Sequence, residues 1–161
     1  MRAAAIVFVL SLGLAGPAAG ESWRLRTSTD ASDGQKTTTA SIDSNENERA
    51  WLQIGCRKGR LAALIRHAAP TGSGAQRVSL RFDANPPEEA EWQATGNIVY
   101  PATAAATDAL LRNPAGAKRF AFAIRAGAAG NDAQDTLTFA LGNAAPFVAA
   151  VRAACAPGAA Q

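Results

Sequence analysis

Apolar and polar residues alternate along much of the chain between residues 22 and 82. Successive side chains of a β-strand point to opposite faces, so this period of two predicts strands with one buried face. Turn-forming residues separate the alternating segments, which are residues 23–27, 36–42, 52–56, 61–65 and 78–82. A series of short strands joined by turns is typical of a β-sandwich or a β-barrel.

The connections in this region differ in kind. Lys58 and Gly59 lie between two alternating segments, and such a pair predicts a tight two-residue hairpin. Residues 68–74 contain Pro70 and two glycines, so we expect a loop there. Residues 43–48 are polar and acidic and predict an exposed loop; Asp43, Glu46 and Glu48 do not follow the pattern of a calcium-binding loop.

Alternation is weaker in the second half of the chain. We expect strands at 88–95, 98–100, 120–124 and 137–141, and a loop at 126–132. A helix is predicted from Pro101 to about Asn113. A C-terminal helix is predicted to carry one apolar face, consisting of Phe147, Val148, Val151 and Cys155.

These elements predict a mainly β (α+β) fold in a single domain, residues 21–161. The architecture would be one antiparallel β-sandwich or a partly open barrel, with one internal and one C-terminal helix. Hydrophobic residues make up 48% of the 161 residues and charged residues 18%, which is typical of a globular chain with a buried core. The many alanines are scattered over the first segment, the loops and the two helices, so they do not indicate a helical bundle.

The first twenty residues have the pattern of a secretory signal peptide. Arg2 precedes an apolar run over residues 3–14, which is shorter than the roughly 20 residues that a membrane-spanning helix needs. Pro17 follows, and small residues at 18–20 predict cleavage after Gly20. We therefore expect an exported chain without an integral membrane segment. The alternative is a buried N-terminal helix.

Composition restricts the possible partners and cofactors. The net charge of +3 falls by one when Arg2 is removed, and the basic residues form no long stripe, so no nucleic-acid partner is predicted. One histidine and two cysteines exclude zinc fingers and four-cysteine iron–sulfur clusters, and no metal or cofactor is predicted. In an exported chain, Cys56 and Cys155 are expected to form a disulfide; the alternative is two separate buried thiols.

Two groups of residues are candidates for chemistry. Glu88, Glu89 and Glu91 lie beside Trp92, a ring able to stack on a sugar, so they would suit a glycoside hydrolase; the alternative is a solvated acidic loop. His67 lies at a strand end before a loop, and Ser73 and Asp83 could approach it as in a catalytic triad. No nucleophile motif accompanies it, so His67 is interpreted as a solvent-exposed loop residue.

Basic residues form the second candidate site, a surface that could bind an acidic partner or an anionic wall polymer. The alternative is that they are ordinary outward-facing charges of half-buried strands. Arg57, Lys58 and Arg60 flank the hairpin turn, and further arginines follow at positions 66, 77 and 81. Arg81 and Asp83 share a strand face and are expected to form an ion pair beside Trp92.

The order of several motifs resembles a known family. An early Trp23 precedes the Thr-rich segment 36–39, and then come Leu-Gln-Ile-Gly-Cys-Arg at 52–57, Val-Ser-Leu-Arg-Phe-Asp at 78–83, Trp92, and a final helix that reaches Cys155. This order is similar to the C-terminal domain of the periplasmic, type VI secretion-associated TagO or VasI family. The family's N-terminal cysteine-containing segment has no counterpart here. The resemblance implies a non-enzymatic accessory protein acting while a secretion machine is built across the cell wall.

We therefore expect a non-enzymatic periplasmic accessory or binding protein, whose partner is a cell-envelope protein or peptidoglycan. The binding residues would be Arg57, Lys58, Arg60, Arg81, Asp83 and Trp92. The alternatives are a cell-wall glycoside hydrolase that uses the acidic residues near Trp92, and a periplasmic enzyme inhibitor.

Overall fold

Nine strands form one antiparallel sheet in the computed structural model, which describes residues 22–114, 116–125 and 133–156. Two helices accompany the sheet. The elements are β1 (Arg24–Thr29), β2 (Lys36–Asp43), β3 (Trp51–Arg57), β4 (Arg60–Arg66), β5 (Gly72–Phe82), β6 (Glu88–Gly96), β7 (Ile98–Pro101), α1 (Ala104–Arg112), β8 (Arg119–Arg125), β9 (Ala133–Ala140) and α2 (Ala145–Ala154).

The strand order across the sheet is β1-β2-β3-β4-β7-β6-β5-β8-β9. The sheet curls around its apolar face into a half-barrel, so the partly open barrel is confirmed and a two-sheet sandwich is not formed. Curling follows from the twist of antiparallel strands together with the need to cover one apolar face with the same sheet.

Aromatic side chains fill the concave side of the sheet. Trp92, Phe120, Phe122 and Phe139 are at most 1% exposed. Phe82 stacks on Phe120 with ring centroids 4.7 Å apart. Each of these aromatic residues alternates with outward-facing residues on its strand, as the period of two requires. Helix α2 packs against β2 and β3, and α1 packs against β4 and β7.

Long-range contacts tie the first part of the sheet to the last. Trp23 donates from Nε1 to the carbonyl oxygen of Leu141 at 2.8 Å, and its ring stacks on Phe147 of α2. In the loop after β2, the amide of Asn45 donates to the carbonyl of Thr138 in β9 at 2.9 Å. These bonds hold the rim of the half-barrel together.

The disulfide between Cys56 and Cys155 is confirmed, with a Cα–Cα distance of 5.4 Å. It joins β3 to the residue that follows α2. In the chain-entropy model, closing a loop of 99 residues is worth about 4–5 kcal/mol. The disulfide therefore fixes the helix over the part of the sheet that it covers.

Local predictions differ from the structure most clearly in three places, one of which is β9, since that strand begins at Ala133 rather than at residue 137. The loop expected at 68–74 ends early, because β5 already begins at Gly72; Gly72 and Gly74 adopt positive φ values of 92° and 91° while pairing with β6. Pro101 belongs to β7, and α1 begins later, with the Thr103 hydroxyl accepting from the amide of Ala106.

The loop predicted at 126–132 and the signal peptide predicted at 1–20 lie outside the described residues. Among the helices that are described, none is long and apolar enough to cross a membrane.

Candidate functional site

An arginine-lined cleft lies on the outer face of the sheet, across β5 and β8. Its floor consists of small residues, because Ser79, Ala121 and Ala123 occupy the outward positions that alternate with the buried core residues. Ser79 pairs with Ala123, and Arg81 pairs with Ala121. The floor residues are buried although they point outward, since longer neighbouring side chains rise around them.

The walls of the cleft carry the charge. Arg81 and Arg125 line it together with Pro87 and Thr136, and its volume is about 200 Å³. That space suits a small group such as a carboxylate with a few neighbouring atoms. Guanidinium groups present several N–H donors in a fixed plane, which matches the two oxygens of a carboxylate.

Glu89 partly engages one of these arginines. Arg125 donates from Nη2 to Glu89 Oε1 at 2.9 Å and lies 3.5 Å from Ser79 Oγ. The hydrogen bond from Arg125 lowers the pKa of Glu89, outweighing its slight burial, and Ser79 and the charge of Arg77 lower it further. Glu89 is therefore held as a carboxylate that orients Arg125 at the edge of the cleft.

Arg81 is the exposed cation of the cleft. Among the described residues, no carboxylate pairs with it, so the expected Arg81–Asp83 ion pair is wrong. Asp83 instead accepts from the amides of Lys118 and Arg119, each at 2.9 Å. Its left-handed backbone, with φ of 51°, turns the chain so that this carboxylate faces the start of β8.

Trp92 is a core residue rather than a binding residue. It is 1% exposed and packs on Phe122 with ring centroids 5.4 Å apart. The ring lies on the concave side of β6, so neither of its faces is open to a ligand.

The basic hairpin forms a separate surface. Arg57 and Arg60 pair across the Lys58-Gly59 turn, whose two residues have φ values of 53° and 68°. Lys58 Nζ lies 3.0 Å from Asp33 Oδ2, and its hydrogen bond lowers the pKa of Asp33. Strands β7 and β6 stand between this hairpin and β5, so the sequence-predicted cations belong to two different surfaces.

The acidic candidates do not form a shared site. Glu88, Glu89 and Glu91 are all exposed on β6. Glu46 is used structurally, because its carboxylate accepts from the amide and the hydroxyl of Thr138 on β9. No group of three potential metal-ligating residues occurs in the part of the chain that the structure describes.

His67 is buried, with 5% exposure, so the solvent-exposed position expected for it is wrong. Its amide donates to the carbonyl of Asn97 at 2.7 Å, and the Asn97 side chain donates back to the carbonyl of His67. These bonds continue the β4–β7 pairing past the end of both strands, which encloses the imidazole.

A second depression, on the outer face of β1 to β3, is less suited to an anion. Its two arginines are balanced by two carboxylates, Asp43 and Glu48, and Arg24 and Asp43 form an ion pair. The guanidinium of Arg66 covers the Trp51 ring with Cζ 4.5 Å from the ring centroid. The cleft beside Arg81 is therefore the stronger candidate site.

Sequence reasoning missed Arg125, Ser79 and the two alanines of the cleft floor. The available signal was the pattern of β8, where alanine occupies the outward positions between Phe120, Phe122 and Ile124. Small outward residues on a strand beside arginines indicate a depression in the sheet surface, but only once the strand pairing is known.

Comparisons with protein-family models, with curated proteins and with solved structures return no match to this chain. Function is therefore inferred from the chain's own residues and geometry.

Proposed function

We propose that the protein is an exported, non-enzymatic binding protein of the cell envelope, and that its outer-face cleft receives a carboxylate of the partner. The observation that carries this proposal is the position of Arg81 and Arg125 beside a floor of small residues. The floor lets a ligand approach the sheet closely, and the two guanidinium groups supply donors of the matching geometry.

Two features support export. Residues 1–20 have the composition of a cleavable signal peptide, and the Cys56–Cys155 disulfide suits an oxidising compartment. The resemblance to the TagO or VasI family adds the narrower proposal that the protein is an accessory of type VI secretion in the periplasm. Secretion genes encoded beside this one would agree with that role, and their absence would argue against it.

Peptidoglycan is the partner that we propose. Its stem peptides carry carboxylates in the periplasm, and a cleft of about 200 Å³ suits one such group better than a folded protein element. A binding role also accounts for Glu89 better than hydrolysis does. A glycosidase acid needs a raised pKa, whereas Arg125 lowers the pKa of Glu89.

Sedimentation with purified peptidoglycan sacculi tests the binding role. We expect Arg81→Glu to weaken binding by about tenfold or more, because one charge-assisted contact becomes a repulsion. Arg26→Glu is the matched control, since Arg26 is exposed on β1, away from the cleft, and the change in net charge is the same. Equal losses in both variants, or no binding by the wild type, would contradict the proposal.

Fractionation of bacteria that produce the full chain tests export. The periplasmic protein should begin at Glu21 and carry no free thiol. A product that keeps residues 1–20 and stays in the cytoplasm would rule out the envelope role.

A further inference from the structure

Strand β4 has an open edge along most of its length. On one side it pairs with β3 at every residue from Arg60 to Arg66. On the other side it pairs with β7 only at Ile65 and Arg66. Within the described residues, β4 therefore has no strand pairing from Arg60 to Leu64 on the side away from β3.

The hairpin geometry shows which backbone groups face this opening. In a two-residue hairpin the residues flanking the turn form a hydrogen-bonded pair, and such pairs recur at every second residue. Arg60 flanks the Lys58-Gly59 turn, so Arg60 and Ala62 direct their backbone groups toward β3. Leu61 and Ala63 consequently direct their N–H and C=O groups into the opening.

Pro101 explains why the β4–β7 ladder stops where it does. The register that pairs Ile65 with Val99 would next place Pro101 opposite Ala63. Proline has no N–H to donate, so the carbonyl of Ala63 receives no bond from it. The chain then turns at Thr103 into α1, and no further residue of β7 continues the ladder.

The opening is a groove between β4 and the first turns of α1. Its volume is about 630 Å³, and Ala62, Tyr100, Thr107 and Asp108 are among the residues that line it. Tyr100 is 37% exposed, one of two large hydrophobic residues that the described surface leaves exposed. From Arg60 to Leu64 the edge spans about 13 Å at roughly 3.3 Å per residue, so it matches a short extended segment.

We propose that this groove binds an extended, acidic segment of another protein as an added strand of the sheet. The main-chain groups of Leu61 and Ala63 would bond the segment, and its outward side chains would contact Tyr100 and Ala62. Arg60 lines the β4 side of the groove and Asp108 lines its α1 side, whereas Lys58 is paired with Asp33 and Arg66 covers the Trp51 ring. Among the described residues Arg60 has no carboxylate partner, so it favours a segment that places a carboxylate beside it. The groove is distinct from the cleft at Arg81, so it stands or falls independently of peptidoglycan binding.

The test titrates the full mature protein with a synthetic peptide, acetyl-Val-Glu-Val-Glu-Val-amide, and follows backbone amides by NMR. We expect the amides of Leu61 and Ala63 to shift, and saturating peptide to slow their hydrogen exchange about tenfold or more. The amides of Ala62 and Leu64 should keep their exchange rates, because they already bond to β3. Unchanged Leu61 and Ala63 amides at millimolar peptide would overturn the proposal, as would shifts confined to the β1 edge.

Two matched controls separate strand addition from simple charge attraction. An added strand bonds to its neighbour through alternate N–H groups only. One peptide is therefore N-methylated at residues 2 and 4, and a second at residues 1, 3 and 5. We expect only one of these two peptides to lose its affinity for the protein. Equal binding by both methylated peptides would contradict strand addition. Arg60→Glu should weaken binding about tenfold, whereas Arg26→Glu, an exposed change on β1, should leave it within twofold. Equal weakening by both variants would overturn the assigned position of the acidic residue.

Discussion

Asp83 connects β5 to β8 through a single carboxylate oxygen. Its Oδ1 atom accepts from two consecutive amides, those of Lys118 and Arg119, so it fixes where β8 begins. Asp tolerates the left-handed backbone at this position better than most residues with a Cβ atom.

Replacing Asp83 should therefore destabilise the fold without touching the core. We expect Asp83→Ala to lower the free energy of unfolding by about 1–3 kcal/mol, because two amides lose their acceptor. Asp83→Asn retains an acceptor oxygen and should lose less. Chemical denaturation measures both variants, with Asp108→Ala, an exposed change on α1, as the control. If Asp83→Ala and Asp108→Ala proved equally stable, the hydrogen bonds of the Asp83 carboxylate to the start of β8 would not contribute to stability.

Glu46 carries a pH-dependent part of the stability. Burial raises its pKa, but the hydrogen bonds from the Thr138 hydroxyl and amide and from Ser44 outweigh burial and lower the pKa below its usual 4.5. A lowered folded-state pKa adds stability that is present above the unfolded value and is lost as the pH falls through the folded value.

Glu46→Gln should consequently lower the stability at neutral pH by about 1 kcal/mol, a value reduced by the exposure of this carboxylate. The difference from wild type should shrink as the pH falls below 4.5. Thermal unfolding at a series of pH values measures it, and Glu48→Gln in the same loop is the control. A difference that stays constant with pH would show that the carboxylate charge is not the cause.

At the residue scale, alternation predicts which residues share a face but not what covers that face. Trp92 and Trp51 both lie in alternating strands, yet Trp92 is buried on the concave side and Trp51 is partly exposed on the outer side. His67 is enclosed by Asn97, a partner 30 residues away. No local pattern indicates such a partner, so both positions needed the structure.

At the element scale, the β3–β4 hairpin shows how strongly a short turn controls register. Gly59 has a φ of 68°, and this left-handed conformation is unfavourable for residues with a Cβ atom. The pairing of all seven residues of β4 with β3 begins from this turn.

Gly59→Ala should lower the free energy of unfolding by about 1–2 kcal/mol through backbone strain alone, because an added Cβ meets nothing within 4 Å. Gly116→Ala is the matched control: its Cβ also meets nothing within 4 Å, and Gly116 does not have a positive φ. Urea unfolding compares the two variants. Equal stability of the two would mean that the turn conformation does not limit the hairpin.

Helix α2 depends on the disulfide for its position over β3. Replacing both Cys56 and Cys155 by serine should lower the free energy of unfolding by up to about 4–5 kcal/mol. Calorimetry of the oxidised, reduced and doubly substituted proteins measures the effect, with the reduced protein expected to match the double variant. An unchanged melting temperature would show that the loop closed by the disulfide contributes little.

Hairpins and most strands could be predicted because their signals are local. The β3–β4 turn depends on two adjacent residues, and each strand on its own alternation. The start of β5 could not be predicted in this way, since Gly72 and Gly74 have a loop-like composition and are held in the strand by pairing with β6. Tertiary pairing overrode local preference there.

At the scale of the whole molecule, the sequence predicted one buried sheet face but left the sandwich and the barrel open. Both architectures need the same alternation. The strand order that decides between them places β7 beside β4 and β5 beside β8, and neither neighbour follows in the chain. The Arg81–Arg125 cleft depends on the second of these pairings, which is why its floor was missed.

Several residues near the start of the fold have their bonding partners near its end, so these contacts can form only late in synthesis. Trp23 bonds to a residue 118 positions later, Glu46 to one 92 positions later, and Cys56 to one 99 positions later. A nascent chain that has reached only residue 132 has none of these partners. Its first strands therefore lack the contacts with β9, Leu141 and Cys155 that they make in the folded protein. Such high contact order slows folding. A chain whose rim closes only when residues 138–155 are present stays incompletely folded until they have been synthesised, and export through a narrow channel, as proposed above, would require such an unfolded state.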